Sequence, residues 1–339
     1  MKRLHNHTFE QIIATENLLL AWQEFVVGKR YKSDVARFGL RLFDNIELLH
    51  QQLAQGLYRH GGYYRFTICD PKLRTIHKAS VRDRLLHHAI YRVLYPFFDR
   101  TFCSDVFSSR VGKGTHAALQ RFARLVGCVS NNSTRTCWVL KCDIKKFFGS
   151  IDHQIFKNVV VARIDDVNLV DLISSVIDSF NNGTNKGLPL GNLTSQLFCN
   201  VYMDSFDEYV KHQLKVPGYI RYADDFVVLS SSRQELLTLL PQISNFLSSN
   251  LKLRLHPQKV SIKTLASGVD FLGWVHFPHH RVLRTKTKQR ILRRSMVNPA
   301  MQTIASYRGL LRHGHARKIE QELVAIQLFA AAVHPVRLL

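Results

Sequence analysis

Tyr222-Ala223-Asp224-Asp225 sets two adjacent carboxylates between two short apolar runs, Gly218-Tyr219-Ile220-Arg221 and Phe226-Val227-Val228-Leu229. The flanks alternate and are aromatic and β-branched, which predicts a tight hairpin with the acids at its turn. Successive residues of an extended segment point to opposite sides, so the pair does not clamp one ion as a unit. One carboxylate can face a metal while its neighbour serves a second ion or supports the first. Like charges this close repel, and a divalent cation removes that cost. Taken alone, an Asp-Asp turn is also what an ordinary surface loop looks like, because Asp favours turns.

A third acid sharpens the chemistry. Cys137-Trp138-Val139-Leu140-Lys141-Cys142-Asp143 reads as a strand that delivers Asp143 at its end, followed by Phe147-Phe148 and then Ser150-Ile151-Asp152. Two neighbouring strands would bring Asp143 beside Asp224. Hard oxygen ligands suit Mg²⁺, which keeps waters and takes substrate phosphates as its remaining ligands. Two such ions about 4 Å apart activate a 3′-hydroxyl and stabilise a leaving pyrophosphate oxygen. The implied reaction is nucleotidyl transfer.

The elements that must position these acids come from a chain of 339 residues, 46% of them hydrophobic, enough for two or three compact units with a core. Forty-seven basic against 25 acidic residues give a net charge of +22, which favours a polyanionic partner, nucleic acid first, over an acidic small molecule. No apolar stretch approaches the roughly 20 residues that span a bilayer, and Met1-Lys2-Arg3-Leu4-His5 leads into polar sequence. The expectation is a soluble cytoplasmic protein with no membrane partner. Cys69, Cys103, Cys128, Cys137, Cys142 and Cys199 form no CxxC pair and are expected to be buried free thiols. Adjacent histidines, His87-His88 and His279-His280, cannot share one helix face, so RNA contact or packing is expected of them before metal binding.

Residues 1–60 read as a helical extension, with one helix beginning at Glu16 to Trp22 and another over Phe43 to Leu57, where Leu42, Ile46, Leu49 and Leu53 follow helical spacing. Arg82 to Phe98 reads as a helix, and Val129 to Thr136 as a polar loop. Connections are expected at 155–182 and 233–250. Between Phe271 and Ile319 there is no Asp or Glu, while Arg281, Arg284, Lys286, Lys288, Arg290, Arg293, Arg294, Arg308, Arg312, Arg317 and Lys318 fall within it. Cations without a counter-charge are costly unless a polyanion neutralises them, so duplex backbone binding is expected, with Arg290, Arg293 and Arg294 as contacts and Tyr307 as the main stacking candidate. The segment is expected to be helical, broken near Pro299 and frayed after Pro335.

In order along the chain, Pro71-Lys72-Leu73-Arg74, Val81-Arg82-Asp83-Arg84-Leu85-Leu86-His87-His88-Ala89, Ser109-Arg110-Val111-Gly112-Lys113-Gly114-Thr115-His116-Ala117, Leu140 to Phe148, Gly187 to Gln196, the Asp-Asp hairpin, Leu255-His256-Pro257-Gln258-Lys259 and Val269-Asp270-Phe271-Leu272-Gly273-Trp274 resemble the motifs of the reverse transcriptases, in particular the bacterial, group II intron-like branch. The resemblance implies an α+β right-hand polymerase fold: fingers over 61–137, a palm with an antiparallel sheet backed by helices over 138–275, including a helical connection at about 155–185, and a short basic thumb over 276–339. It implies an RNA-directed DNA polymerase with two Mg²⁺ ions held by Asp143, Ile144, Asp224 and Asp225, acting on dNTPs, template RNA and an RNA/DNA duplex.

The same resemblance assigns further roles. Lys72 and Arg74 match cations that hold the triphosphate, for which a planar guanidinium suits bidentate contact. Phe147 and Phe148 match the aromatic pair at the nucleotide sugar, with Phe148 as the ring that excludes a 2′-hydroxyl. Lys259 matches a lysine proposed to protonate pyrophosphate. Gly191 would let the backbone approach the substrate closely. Arg110, Lys113, Gly273 and Trp274 fall in motifs expected to touch nucleic acid. The family commonly has Gln before this glycine and Ser-Pro later, whereas this chain has Leu190 and Ser195-Gln196. That departure resembles the enzymes of diversity-generating retroelements, which copy RNA with errors, and relatives of the motif occur in antiphage defence. A small basic accessory protein fits the first setting and a structured non-coding RNA fits both. A maturase-like RNA-binding protein with a relic site is the competing class. Nothing resembling an RNase H, an integrase or an HNH endonuclease stands outside these motifs.

Overall fold

The computed structural model describes residues 3–4, 8–69, 72–181, 183–298 and 300–333. Pro71, Pro299, Pro335 and the first two residues, on which parts of the sequence reading fall, lie outside them. Among the described residues nine strands make three antiparallel sheets. β1 (Tyr63–Cys69) and β2 (Leu73–Ala79) form a projecting hairpin. β3 (Trp138–Asp143), β4 (Tyr219–Tyr222), β5 (Asp225–Ser230) and β6 (Ser261–Thr264) form the central sheet in the order β4-β5-β3-β6. β7 (Val269–Phe271), β8 (Trp274–His276) and β9 (Arg281–Leu283) form the third.

Alternation along the central strands divides their side chains between two cores, because strand residues point to opposite faces with a period of two. Leu140, Cys142, Phe226 and Val228 join the larger core with the helices Leu193–Glu208 and Arg233–Leu251. Val139, Ile220, Val227 and Leu229 pack on the other face with Phe107, Phe122 and Leu125, the last two from the helix Thr115–Val129. The sheet is thus covered on both faces. Each large side chain so buried stabilises by about 1.5–3 kcal/mol.

Of the four N-terminal helices, the two expected ones run Thr15–Phe25 and Leu42–Ala54, the second beginning one residue before and ending three before the expected span. Ile46, Leu49 and Leu53 are its buried stripe. Val81–Asp99 is capped by Ser80, whose side chain accepts from the Asp83 amide. Asp83 is itself fully buried and takes the Tyr58 hydroxyl at 2.9 Å, the Ser80 hydroxyl at 2.7 Å and the Gly61 amide at 3.1 Å. Its position in the second of the quoted motifs is therefore structural. The connection expected at 155–185 is two helices, His153–Arg163 and Val167–Asp178, capped by Asp152 and Asp166.

Three helices, Thr285–Val297, Met301–Leu311 and Arg317–Val333, close the chain around Trp274, Leu283, Ile291, Ile304, Leu311, Ile319 and Leu323. The expected boundary after residue 275 falls inside β8, whose Trp274 already belongs to this core. A Cβ on Gly314 would come within 2.1 Å of the Trp274 ring, so only glycine lets the chain pass there. All six cysteines are free, as expected; Cys137, Cys142 and Cys199 are buried, but Cys69 and Cys128 are exposed, which corrects the expectation of burial at those two. No helix among the described residues is long and apolar enough to cross a membrane.

The paired histidines are explained by packing at one site. His87 is buried against the His60 ring, and His88 meets Phe25 edge-on. Burial pushes His87 down to about 3 and His88 and His276 to about 4. Neutral when folded and free to charge when unfolded, these imidazoles favour the fold fully above about pH 6.5, and that contribution is lost as pH falls toward 4. The urea-unfolding free energy should therefore drop between pH 7 and pH 5, by up to about 1.4 kcal/mol per pH unit for each histidine, and the urea midpoint should fall with it. His88→Phe should flatten the dependence; a pH-independent midpoint in the parent would show the histidines charged in the fold.

Candidate active site

Pairing of Tyr222 with Asp225 leaves Ala223-Asp224 as the two-residue loop of the β4–β5 hairpin. Ala223 has φ +56°, the left-handed region that tight hairpin loops demand and that a side chain enters at a cost of about 1 kcal/mol. The loop is held by Arg221, whose Nη1 donates to the Ala223 carbonyl at 3.0 Å. Arg221 is fully buried, its Nε and Nη2 donating to the two oxygens of Asp207 at 2.7 and 2.6 Å and its Nη1 also to Asn200 at 3.3 Å. Burial opposes the Arg221 charge, and the Asp207 carboxylate more than offsets it, holding the pKa above its ordinary value. Tyr219 donates to the same carboxylate at 2.6 Å. None of this network was anticipated; its signal is a charged residue inside an otherwise apolar strand and another inside the buried helix Leu193–Glu208.

Asp143 lies directly opposite Asp225 in the β3–β5 register, and the Ile144 amide donates to the Asp224 carbonyl at 3.1 Å. Adjoining strands thus bring the three acids together as the sequence implied. Lys259 Nζ donates to both oxygens of Asp143 at 2.7 and 2.8 Å, and Lys141 Nζ lies 3.7 Å from Asp225. Burial first, and then the charges of Asp143 and Asp224, push Asp225 up to about 6. Burial and the Asp143 charge also raise Asp224, against the pull of Lys259 and Arg74.

One oxygen of Asp225, Oδ1, is buried without a hydrogen-bond partner. An orphaned carboxylate oxygen among mutually repelling acids is a position that a hard cation stabilises, so the donor set fits Mg²⁺. Asp143, Asp224 and Asp225 would hold it, with the Ile144 carbonyl, since the Ile144 side chain is buried. Among the described residues no three His, Cys, Asp or Glu side chains form a ready-made cage; Asp143 and Asp225 are turned to lysines, and water and phosphate would complete the set.

The β1–β2 hairpin leans over this site. Arg74 is exposed on β2 and near enough to Asp224 to pull its pKa down, whereas Lys72, also exposed, stands just before that strand. The β2 edge binds the following motif: the His77 amide donates to the Leu190 carbonyl and Asn192 Nδ2 to the His77 carbonyl, both at 2.9 Å. Gly191 has φ +106°, and a Cβ there would meet Ile76 at 2.7 Å, which requires glycine on two counts. Leu190 is half-buried. Phe147 is buried in the core, while Phe148 is only half-buried and so reaches the surface.

Two of the expected nucleic-acid contacts, Arg110 and Trp274, are internal, while Lys113 and Gly273 are half-buried. Arg110 donates to Asp99 at 2.6 Å and to the carbonyls of Asp99 and Cys103, with 6% of its side chain exposed. Lys113 donates to the Ser104 carbonyl. Trp274 is 1% exposed, and Gly273, with φ +86° beside Leu272 at +50°, shapes the β7–β8 turn. Arg293 and Arg294 are exposed and Arg290 half-buried on the Thr285–Val297 helix. The basic stretch is not wholly without counter-charge: Arg284 pairs with Asp270, and Lys288 with Glu322 at 3.2 Å, both acids lying just outside the acid-free run.

Removing one partner of the buried pair leaves the other charge stranded, at a cost of about 3–5 kcal/mol. Asp207→Ala should lower the urea-unfolding free energy by that amount, and the joint change Asp207→Leu with Arg221→Met should recover most of it. Equal losses in the two variants would show that Arg221 draws its support elsewhere.

The reverse transcriptase (RNA-dependent DNA polymerase) family profile matches residues 69–276. Protein YkfC of Escherichia coli (strain K12) is 24% identical over 73% of this chain and 74% of its own length. Group II intron-encoded protein LtrA of Lactococcus lactis subsp. cremoris is 21% identical over 68% of this chain, which spans about half, 49%, of its length. Among solved structures, apo telomerase from Candida tropicalis, truncated from its C-terminal domain, superposes with a TM-score of 0.51 at 12% identity, over 66% of this chain and 55% of that one. The likeness shows a right-hand polymerase fold. With the profile spanning more than half of its length and covering all three acids, the chain belongs to the reverse transcriptase family.

Proposed function

We propose that the protein is an RNA-directed DNA polymerase that copies template RNA with dNTPs. The observation that carries this reading is the meeting of Asp143, Asp224 and Asp225 on adjoining strands, with an orphaned Asp225 oxygen, under a hairpin that presents Arg74. Mg²⁺, when bound, would lower the pKa of the primer 3′-hydroxyl and neutralise charge on the leaving oxygen. The rest falls to the chain's own residues. Arg74 and Lys72 hold the triphosphate, Phe148 lies under the sugar and excludes a 2′-hydroxyl, and Gly191 gives the base pair room. As the 3′-oxygen bonds to the α-phosphorus, the bond to the bridging oxygen breaks and pyrophosphate departs with that electron pair. Lys259, which donates to Asp143, would give the departing oxygen a proton. The exposed arginines of the Thr285–Val297 helix bind duplex backbone.

Likeness to a nuclear intron maturase of Arabidopsis thaliana, 27% identical over 38% of this chain, favours one competing reading, a maturase-like protein that binds RNA without polymerising. Extension of an annealed primer on RNA with Mg²⁺ decides between them. Asp224→Asn removes a charge with little change of volume, so it should lower extension at least on the order of 10³-fold while leaving fold and RNA binding intact. Appreciable activity in that variant would sink the acid assignment.

We further read the enzyme as one of low fidelity, the kind that serves a diversity-generating retroelement, because Leu190 stands where many relatives present a polar side chain. Leucine cannot hydrogen-bond, so pair discrimination rests more on shape. A buried hydrogen bond contributes about 0.5–1.5 kcal/mol, enough to change misincorporation several-fold. Leu190→Gln should therefore lower misincorporation, scored opposite each template base. High, unaltered accuracy in the parent would favour instead an antiphage defence enzyme working with a structured non-coding RNA.

A further inference from the structure

The second histidine pair, His279-His280, sits in the exposed turn between β8 and β9, which the Phe277 amide closes on the His280 carbonyl at 2.8 Å. Two concave regions flank that turn, one of about 590 Å³ and one of about 380 Å³, and Pro278 and His279 line both. Both lie far from the acids. Trp138 pairs with Thr264 at one end of β3 and Asp143 with Asp225 at the other, five residues or about 17 Å away. The smaller region is lined by Cys137, Thr264 and Leu265 at the Trp138 end. The larger opens between the second half of the helix Thr115–Val129, through Ala123 and Arg124, and the link joining the last two helices, through Arg312 and His315.

Neither lining contains an Asp or a Glu. Arg124 and Arg312 in the larger region and Arg135 in the smaller are exposed and make no ion pair or side-chain hydrogen bond among the described residues. Arg281, by contrast, is spent inside, over the Trp274 ring and on the His313 carbonyl. Flat rings stand among the open cations. His280 stacks on Phe277 with centroids 4.8 Å and planes 14° apart, and meets His315 at 5.5 Å, yet His279, His280 and His315 all remain exposed. The smaller region adds the exposed hydroxyls of Ser133 and Thr136, neither of them bonded among the described residues.

We propose that the two regions form one docking site for single-stranded RNA, separate from the cleft that holds the acids. Uncompensated arginines suit phosphates, exposed rings suit unstacked bases, and free hydroxyls suit the 2′-hydroxyl that distinguishes RNA from DNA. An exposed turn between two concavities accommodates bases splayed to either side of it. A duplex keeps its bases stacked and offers such a surface only its backbone. The site does not depend on the polymerase reading: it anchors an unpaired RNA segment whether the acids copy that RNA or the protein only binds it.

The test follows, by fluorescence anisotropy, a labelled single-stranded RNA of mixed sequence about 12 nucleotides long, with an excess of unlabelled blunt-ended RNA/DNA hybrid occupying the cleft at the acids. The parent should bind this RNA more tightly than DNA of the same sequence. Arg124→Gln together with Arg312→Gln should weaken RNA binding roughly tenfold and make its log–log salt dependence shallower by about 1.4 units, the share of two single-strand phosphate contacts. His280→Ala should weaken it roughly tenfold through lost stacking, with the salt slope unchanged. Affinity for the hybrid should stay at the parent's value in both variants. A parent that binds no single strand once the hybrid is present overturns the proposal, as does equal affinity for RNA and DNA, or parental RNA affinity in either variant when circular dichroism shows it folded. A parallel loss of hybrid binding also overturns it and would assign the arginines to duplex backbone. Should one variant misfold, the other decides.

Discussion

The fully buried guanidinium of Arg221 is the constraint from which the site is built. A buried charge costs several kcal/mol unless its donors are satisfied, and here Asp207 accepts two of them, leaving Nη1 for Asn200 and for the Ala223 carbonyl. That last bond ties the loop bearing Asp224 to a helix of the core. The backbone of Arg221 is committed as well: its amide donates to the Asp105 carbonyl and its carbonyl accepts from Phe107, both at 3.0 Å. β4 is therefore no open edge, and the strained Ala223 conformation is held from two directions.

Around that frame the electrostatics are arranged in opposing layers. Three acids at the ends of β3 and β5 repel one another, and lysines from β3 and from the segment after residue 255 lean on two of them. Arg74 reaches over from the hairpin to influence the third. A polyanion with its cations would exchange these contacts for others of the same sign. The acids are thus partly compensated from within the chain, by surface-accessible pairs such as Lys259–Asp143 that are individually weak.

The C-terminal helices show how misleading a charge run can be when read linearly. Arg284 and Lys288 find acids just outside the acid-free stretch, and Arg281 lies over the Trp274 ring and donates to the His313 carbonyl. What stays outward on the first helix, Arg293 and Arg294 among others, is a narrower basic face than the composition implied.

Local patterns were legible because backbone geometry imposes them. Alternation in 138–143 and 219–230 marked the central strands, helical spacing marked Ile46, Leu49 and Leu53, and the placing of Asp143 and Asp224-Asp225 at strand ends carried the acid chemistry into one site. Family motifs added Gly191, whose clash-free fit against Ile76 and left-handed φ make glycine necessary. The same motifs could not show that Arg110 and Trp274 would be buried. That burial depends on Asp99 and Gly314, and a residue's type does not say which remote neighbour will cover it. Nor could spacing show that Arg221 would be enclosed by Asp207 and Asn200, or that Arg124 and Arg312 would line one concavity. By itself the sequence determined the central strands around the acids, the amphipathic helices and the meeting of the three acids at strand ends. Only the tertiary structure decided which cations remain on the surface and which are consumed inside, because burial and pairing are set by residues far apart in the chain.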